Sequence, residues 1–176
     1  PAQLAQGLDF TGKTVLVTGG GVGIGRAIAE AFAGAGAQVV IAEIDPARAD
    51  AAEAAMPLAR VIRCDVRQRG VGAMLAERIA AETGRLDVLV NNVGHFVHAR
   101  PFAMLEDAEA EEILDVNLGQ VLRMTRAMIP LLRKGAPGSS IINLTSIEAH
   151  RGIPCCSVYA AAKWAVTGFT KSLALE

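Results

Sequence analysis

KTVLVTGGGVGIGRAIAEAF, residues 13–32, contains the decision about the fold. A short β-branched run, Lys13 to Gly19, is the composition of a strand, and it ends in glycine. From Arg26 to Ala37, alanine, isoleucine and phenylalanine recur at helical spacing until Gly34 and Gly36, where a C-capped helix stops. The glycines between strand and helix follow the pattern Gly19-x-x-x-Gly23-x-Gly25, a looser relative of the dinucleotide fingerprint G-x-G-x-x-G. Glycine after the strand permits a tight turn, and the next lets backbone approach a pyrophosphate. The last lets the helix pack close to the sheet. With Ile24 in its first turn, that helix offers free amides and a partial positive charge to phosphates. Taken alone, the loop is equally a turn that binds nothing.

The same alternation continues along the chain and predicts an α/β fold, a doubly wound parallel sheet of the Rossmann type. Gln38 to Glu43 reads as the second strand, followed by a helix with Asp45 at its cap and Pro46 in its first turn. Arg60 to Val66 is the third strand, with a helix from Gln68 to Ala81. Leu86 to Asn92, apolar almost throughout, fits a strand buried on both faces. Residues 106–134 predict one long helix, acidic at its start and basic at its end. Ser139 to Ser146 is the fifth strand and Ser157 to Glu176 a last helix. No repeat or linker interrupts the rhythm, so a single dinucleotide-binding domain over 1–176 is expected.

Composition narrows the function. The chain of 176 residues is 52% apolar with a formal net charge of −1, so no global field recruits nucleic acid or an anionic membrane. No apolar run reaches membrane-spanning length. Three cysteines at no metal-ligand or C-x-x-C spacing, and no apolar leader, predict a cytoplasmic protein. The three histidines lack carboxylates at ligand spacing, so no metal site is expected.

Glu43 stands eighteen residues after Gly25 at the end of the second strand, where a dinucleotide fold holds the acid that meets the adenosine ribose. A carboxylate there repels a 2′-phosphate, and no basic residue lies between Thr18 and Gly25, so NAD is expected over NADP. Otherwise Glu43 is a strand-end charge. Asp65, ending the third strand, is placed to meet adenine. Tyr159, the only tyrosine, is followed four residues later by Lys163, on one helical face. A free phenol titrates at about pH 10, and an adjacent ammonium favours the phenolate, the form that accepts a proton from an alcohol. The alternative is a packed tyrosine beside a surface lysine.

The motifs TGGGVGIG, CDV, NNVG, DVNLG, NLTS and YAAAK, in this order, closely resemble the short-chain dehydrogenase/reductase family from Thr11 to the last residue. The resemblance implies an NAD-dependent oxidoreductase interconverting a secondary alcohol and a ketone. Tyr159 would be the general acid/base, and Lys163 would bind the nicotinamide ribose and assist the phenol. Ser146 would hold the substrate oxygen, and Asn117 would link the lysine to solvent through a water. Val66, Asn91 and Gly94 align with cofactor-lining positions, with Val93 in place of the usual alanine. His95, Phe96, Glu148 and Cys156 match substrate-facing positions, with a polarity suited to a hydroxylated or acidic substrate.

Family members continue past TKSLALE into further strands and a substrate lid. The chain is therefore expected to be truncated before its last strands, with weak turnover by itself. They also assemble as tetramers or dimers, and Met124, Met128, Leu131, Trp164, Phe169 and Leu173 are candidates for such a homo-oligomeric surface or for the core. The competing reading is a dinucleotide-binding sensor or scaffold without turnover. An epimerase or dehydratase is disfavoured by the glycine spacing.

Overall fold

The structure, a computed structural model, describes residues 8–176. The first seven residues of the domain expected over 1–176 lie outside the described residues. Two compact units emerge from the packing of the described residues: 8–92 with Arg123–Ile142, and Val93–Leu122 with Asn143–Glu176.

The first unit is built on a parallel five-stranded sheet in the order β3-β2-β1-β4-β5, flanked by helices. Strand β1 (Thr14–Thr18) sits at its centre, pairing with β2 (Gln38–Glu43) from Thr14 opposite Gln38 and with β4 (Val88–Asn91) from Val15 opposite Val88. Val15, Leu16 and Val17 are fully buried, each contributing on the order of 1.5–3 kcal/mol by leaving water. Continuous apolar composition, rather than alternation, is the signature of a strand covered on both faces. Strand β3 (Arg60–Arg63) forms one edge, in register with Val40–Glu43. Strand β5 (Ser140–Asn143) forms the other. The order reverses direction between β1 and β4, and the crevice at the carboxyl ends of such a pair is where open α/β sheets bind ligands.

Local chemistry sets the element ends. Helix α1 (Gly23–Gly34) follows β1 after a four-residue turn, and α2 (Pro46–Ala55) is capped by Asp45, whose carboxylate accepts from Arg48 N at 2.9 Å. The expected helix start at Gln68 moves to Val71 in α3 (Val71–Glu82). Gly70 lies there at φ 87, a left-handed conformation that is costly for any residue with a Cβ. Strand pairing in β3 ends at Arg63, short of the expected Val66. Strand β5 likewise ends at Asn143 rather than Ser146.

The long helix expected over residues 106–134 is three pieces. Helix α4 (Asp107–Leu114) opens with a capping box in which Glu106 N donates to Glu109 at 3.0 Å. A π-helical turn, Asp115–Gly119, widens the spiral, and α5 (Gln120–Gly135) resumes it. Hydrophobic spacing is nearly the same on either side of such a turn, so periodicity does not reveal it. Met124, Met128 and Leu131 on α5 are at most 4% exposed and belong to the core of the first unit, not to a subunit surface. Helix α6 (Ser157–Leu173) belongs to the second unit and packs there on α4 and the π-turn. Trp164 on α6 is 53% exposed. Among the described residues no helix is long and apolar enough to cross a membrane.

Candidate active site

The predicted residues fall into two clusters, one in each unit. In the first, the glycine turn between β1 and α1 is drawn tight. A Cβ on Gly25 would stand 2.2 Å from Gly19 O and 2.5 Å from Asn92 Nδ2, so only glycine fits. Asn92, unassigned in the sequence, holds this turn: its Nδ2 donates to Thr18 O at 2.9 Å and to Gly19 O at 3.2 Å. Asn91 instead is buried and donates to Thr125 Oγ1 on α5 at 3.1 Å, fastening β4 to its covering helix. Gly23 opens α1 at φ 58, and Ile24 behind it is 68% exposed. Helix α1 has no side-chain cap and no acidic residue in its first turn, leaving its leading amides for an anion.

Glu43 is 3% exposed. Its Oε2 accepts from Gly21 N at 3.0 Å, while Oε1 accepts from Ile44 N at 3.0 Å and Asp45 N at 3.1 Å. The acid predicted to meet a ribose thus also ties the glycine turn to the start of α2. Arg48 lies beside it, its Cβ 2.9 Å from where Gly21 would carry one. Nothing in the sequence around Arg48 signalled that neighbour. Asp65 is engaged by Arg67, whose Nε and Nη2 donate at 3.0 Å and 2.9 Å and hold its carboxyl below the usual range. Val66 is buried. These features fit a dinucleotide: a turn with no room for side chains, open helix amides, and acids at the ends of β2 and β3.

The second cluster gathers on α6, the π-turn and the loops around them. Tyr159 is 8% exposed and Lys163 3%, one helical turn apart, with the ammonium 5.8 Å from the phenol ring centre. Among the described residues the Tyr159 hydroxyl has no hydrogen-bond partner. Lys163 Nζ donates to Leu144 O at 3.1 Å, and burial pushes the ammonium below the ordinary lysine range. Asn117 lies in the π-turn and is fully buried, its amide donating to His95 O and Ile113 O, both at 3.0 Å. Its Oδ1 has no partner among the described residues. Gly94 is wedged between the two: a Cβ there would stand 2.7 Å from Lys163 Nζ and 2.8 Å from Asn117 Oδ1.

Further contacts in this unit were not legible in the sequence. Phe96 stacks on Tyr159 with ring centres 4.0 Å apart. Gln120 Nε2 donates to Val93 O at 3.0 Å, so two side chains around the π-turn grip the backbone of the Val93–His95 loop. The Ser146 hydroxyl donates to Glu148, a bond that holds the Glu148 carboxyl below its usual range. His95 is exposed, whereas Cys156 is buried at the start of α6, where burial pushes its thiol up.

The chain as a whole matches known proteins. The chain is similar to the L-fucose dehydrogenase of Bos taurus, 40% identical over 177 residues that cover 98% of this chain and 63% of that protein. It is 36% identical to the galactitol 2-dehydrogenase of Agrobacterium fabrum over 169 residues, 96% of this chain and 66% of that one. The ligand-free aldohexose dehydrogenase of Thermoplasma acidophilum superposes with a TM-score of 0.83 at 34% identity, over 94% of this chain and 62% of its own. The chain thus spans about two thirds or less of each of these proteins' length. A family model described as short chain dehydrogenase matches residues 13–176, taking in the glycine turn, the π-turn asparagine and the tyrosine–lysine pair alike. This chain belongs to the short-chain dehydrogenase family.

Proposed function

We propose that the protein is an NAD-dependent oxidoreductase that interconverts a secondary alcohol and a ketone. The observation that carries this reading is the Tyr159–Lys163 pair. A nearly buried phenol with no partner for its hydroxyl stands beside an ammonium kept out of water. Residues Gly19, Gly23, Ile24, Gly25, Glu43, Asp65, Val66, Asn91 and Gly94 hold the dinucleotide, with Lys163 on its ribose. The bound nicotinamide supplies a two-electron acceptor for the hydride leaving the carbinol carbon. Tyr159 Oη takes the proton from the alcohol oxygen, so one hydride and one proton leave as the carbinol becomes a carbonyl. Ser146 holds the reacting oxygen. Lys163 stabilises the phenolate, and the unsatisfied Asn117 Oδ1 is the acceptor for a water through which that proton departs.

NAD rather than NADP is the reading that Glu43 supports, a buried carboxylate against the glycine turn, where a 2′-phosphate would add like charge. Sugars and polyols are the substrate class supported by the relatives' names and by the polar loop around Glu148. His95, Phe96 and Cys156 are assigned with Glu148 to the substrate side. A homo-oligomer, tetramer or dimer, in the cytoplasm completes the reading. Exposed Trp164 and the free thiols of Cys64, Cys155 and Cys156 support it.

Tyr159→Phe in the full-length protein is the test. NAD affinity by titration calorimetry stays within about twofold while turnover on sugars and polyols falls about 10²–10⁴-fold, the usual share of a general acid/base. Undiminished turnover rejects the assignment. NAD binding by the wild type with no turnover of any secondary alcohol would favour a dinucleotide sensor instead.

A further inference from the structure

The Ser146–Glu148 hydrogen bond sets a condition on any substrate. A serine hydroxyl owns one proton, and here that proton is committed to a carboxylate. Bonds of this kind, to a charged acceptor, are about twice as strong as neutral ones. While it persists, Ser146 presents only lone pairs, which repel those of an alkoxide, carbonyl or alcohol oxygen whose own proton goes to Tyr159. Ser146 therefore assists the reaction only when Glu148 lets go of it.

Glu148 has few alternatives to that bond. Its side chain is 13% exposed, and the nearest cation, Arg151 Nη2, lies 4.0 Å from Oε1, beyond hydrogen-bond reach. An isolated secondary alcohol would free Ser146 only by stripping the carboxylate of its side-chain donor, leaving it the Glu148 backbone amide. A hydroxyl on the carbon next to the reacting one supplies a replacement. It donates to Glu148, Ser146 turns its proton to the reacting oxygen, and the count of hydrogen bonds to the carboxylate is conserved.

We propose that Glu148 is a specificity-determining residue that makes the site selective for vicinal diols, with Ser146 released to the reacting oxygen by a neighbouring substrate hydroxyl. The inference rests on the assignment of Ser146 to the reacting oxygen given above. It adds what that assignment leaves open, namely which alcohols meet the requirement.

Two matched pairs test it in the full-length protein with NAD and with NADP: 1,2-cyclohexanediol against cyclohexanol, and 2,3-butanediol against 2-butanol. Wild type favours the hydroxylated member of each pair in kcat/KM by a factor of about 10–100, the worth of one hydrogen bond to a charged group. In Glu148→Ala that preference falls to within about threefold of unity. Turnover of the compound lacking the neighbouring hydroxyl rises, because Ser146 is free; a merely structural role would lower both members together. Glu148→Gln, which still accepts from Ser146 without charge, falls between. An unchanged preference in Glu148→Ala, or an equal loss on both members, overturns the proposal. Full activity in Tyr159→Phe would reject the parent reading while leaving the Glu148 ratios interpretable by themselves. Failure of wild type on both diols with both coenzymes overturns the proposal.

Discussion

Gly94→Ala probes the second cluster at its narrowest point. Gly94 does not adopt a left-handed φ, so alanine meets no backbone objection there. The new methyl would, however, stand 2.7 Å from Lys163 Nζ and 2.8 Å from Asn117 Oδ1, closer than Cβ atoms come to other atoms. Both are ends of side chains and can move by a few tenths of an ångström, so the collision itself is cheap. The cost lies in what those ends hold. Lys163 Nζ sits 3.1 Å from Leu144 O, and a shift of about half an ångström takes that pair out of hydrogen-bond range. Lys163 is 3% exposed, so little water replaces the lost acceptor. Losing a bond to a buried charged group costs about 1.5–3 kcal/mol. For a protein of 150–250 residues this corresponds to a fall in Tm of about 3–12 °C. Displacing the ammonium also loosens its hold near Tyr159, and turnover is expected to fall about a hundredfold. Differential scanning calorimetry and steady-state kinetics on the full-length protein measure both. In a Lys163→Met background the Gly94→Ala penalty shrinks by at least about 0.5 kcal/mol, because one of the two displaced groups no longer carries a charge. Stability within about 0.5 kcal/mol of wild type together with wild-type turnover would refute the argument.

The remaining expectations concern other parts of the chain. In Gly25→Ala the methyl meets a backbone atom, Gly19 O at 2.2 Å, which cannot swing aside. Unfolding in urea should register about 1–3 kcal/mol of overpacking, with NAD affinity at least about tenfold weaker by titration. Asp87 is 1% exposed and accepts from Thr14 N at 2.9 Å, Lys13 Nζ at 3.3 Å and the Arg85 guanidinium. These bonds more than offset burial and hold its carboxyl below the usual range. Its folded value lies under the unfolded one of about 3.9, so its contribution is complete above that pH and is lost as pH falls through the folded value. Asp87→Asn is therefore expected to cost about 1–3 kcal/mol at pH 7, with the difference from wild type closing below about pH 4 in urea titrations. A gap that does not begin to narrow as pH falls below about 4 contradicts this. Cys155 is exposed at φ 63, where an L-residue is strained, so Cys155→Gly should raise stability by up to about 1 kcal/mol. A lower Tm would count against that strain.

Most of the architecture was written in the sequence, because local physics dictates it. The β-branched run of β1, the glycines that follow it, Asp45 and Pro46 at the start of α2 and the acidic opening of α4 each satisfy a requirement met within a few residues. Tyr159 and Lys163 were legible for the same reason, since one helical turn fixes their common face whatever surrounds them.

What the chain concealed depends on partners distant in sequence or on a change of hydrogen-bond register. Met124, Met128 and Leu131 form an apolar stripe that would serve a core or a subunit contact equally well, and only packing assigned it to the core. The π-turn at Asp115–Gly119 alters backbone bonding without altering composition, yet it carries the asparagine that grips the loop after β4. Asn91 and Asn92 are adjacent and identical in chemistry. Strand pleating sends one to Thr125 and the other to the glycine turn, seventy-three residues away at Gly19. Glu148 stands at a position that resemblance makes substrate-facing, but nothing local signals that Ser146 donates to it. Sequence determined which elements form and which side chains share a helical face, because those follow from neighbours three or four positions apart. Tertiary structure alone decided which buried polar groups find partners, since that depends on where distant segments of the chain come to rest.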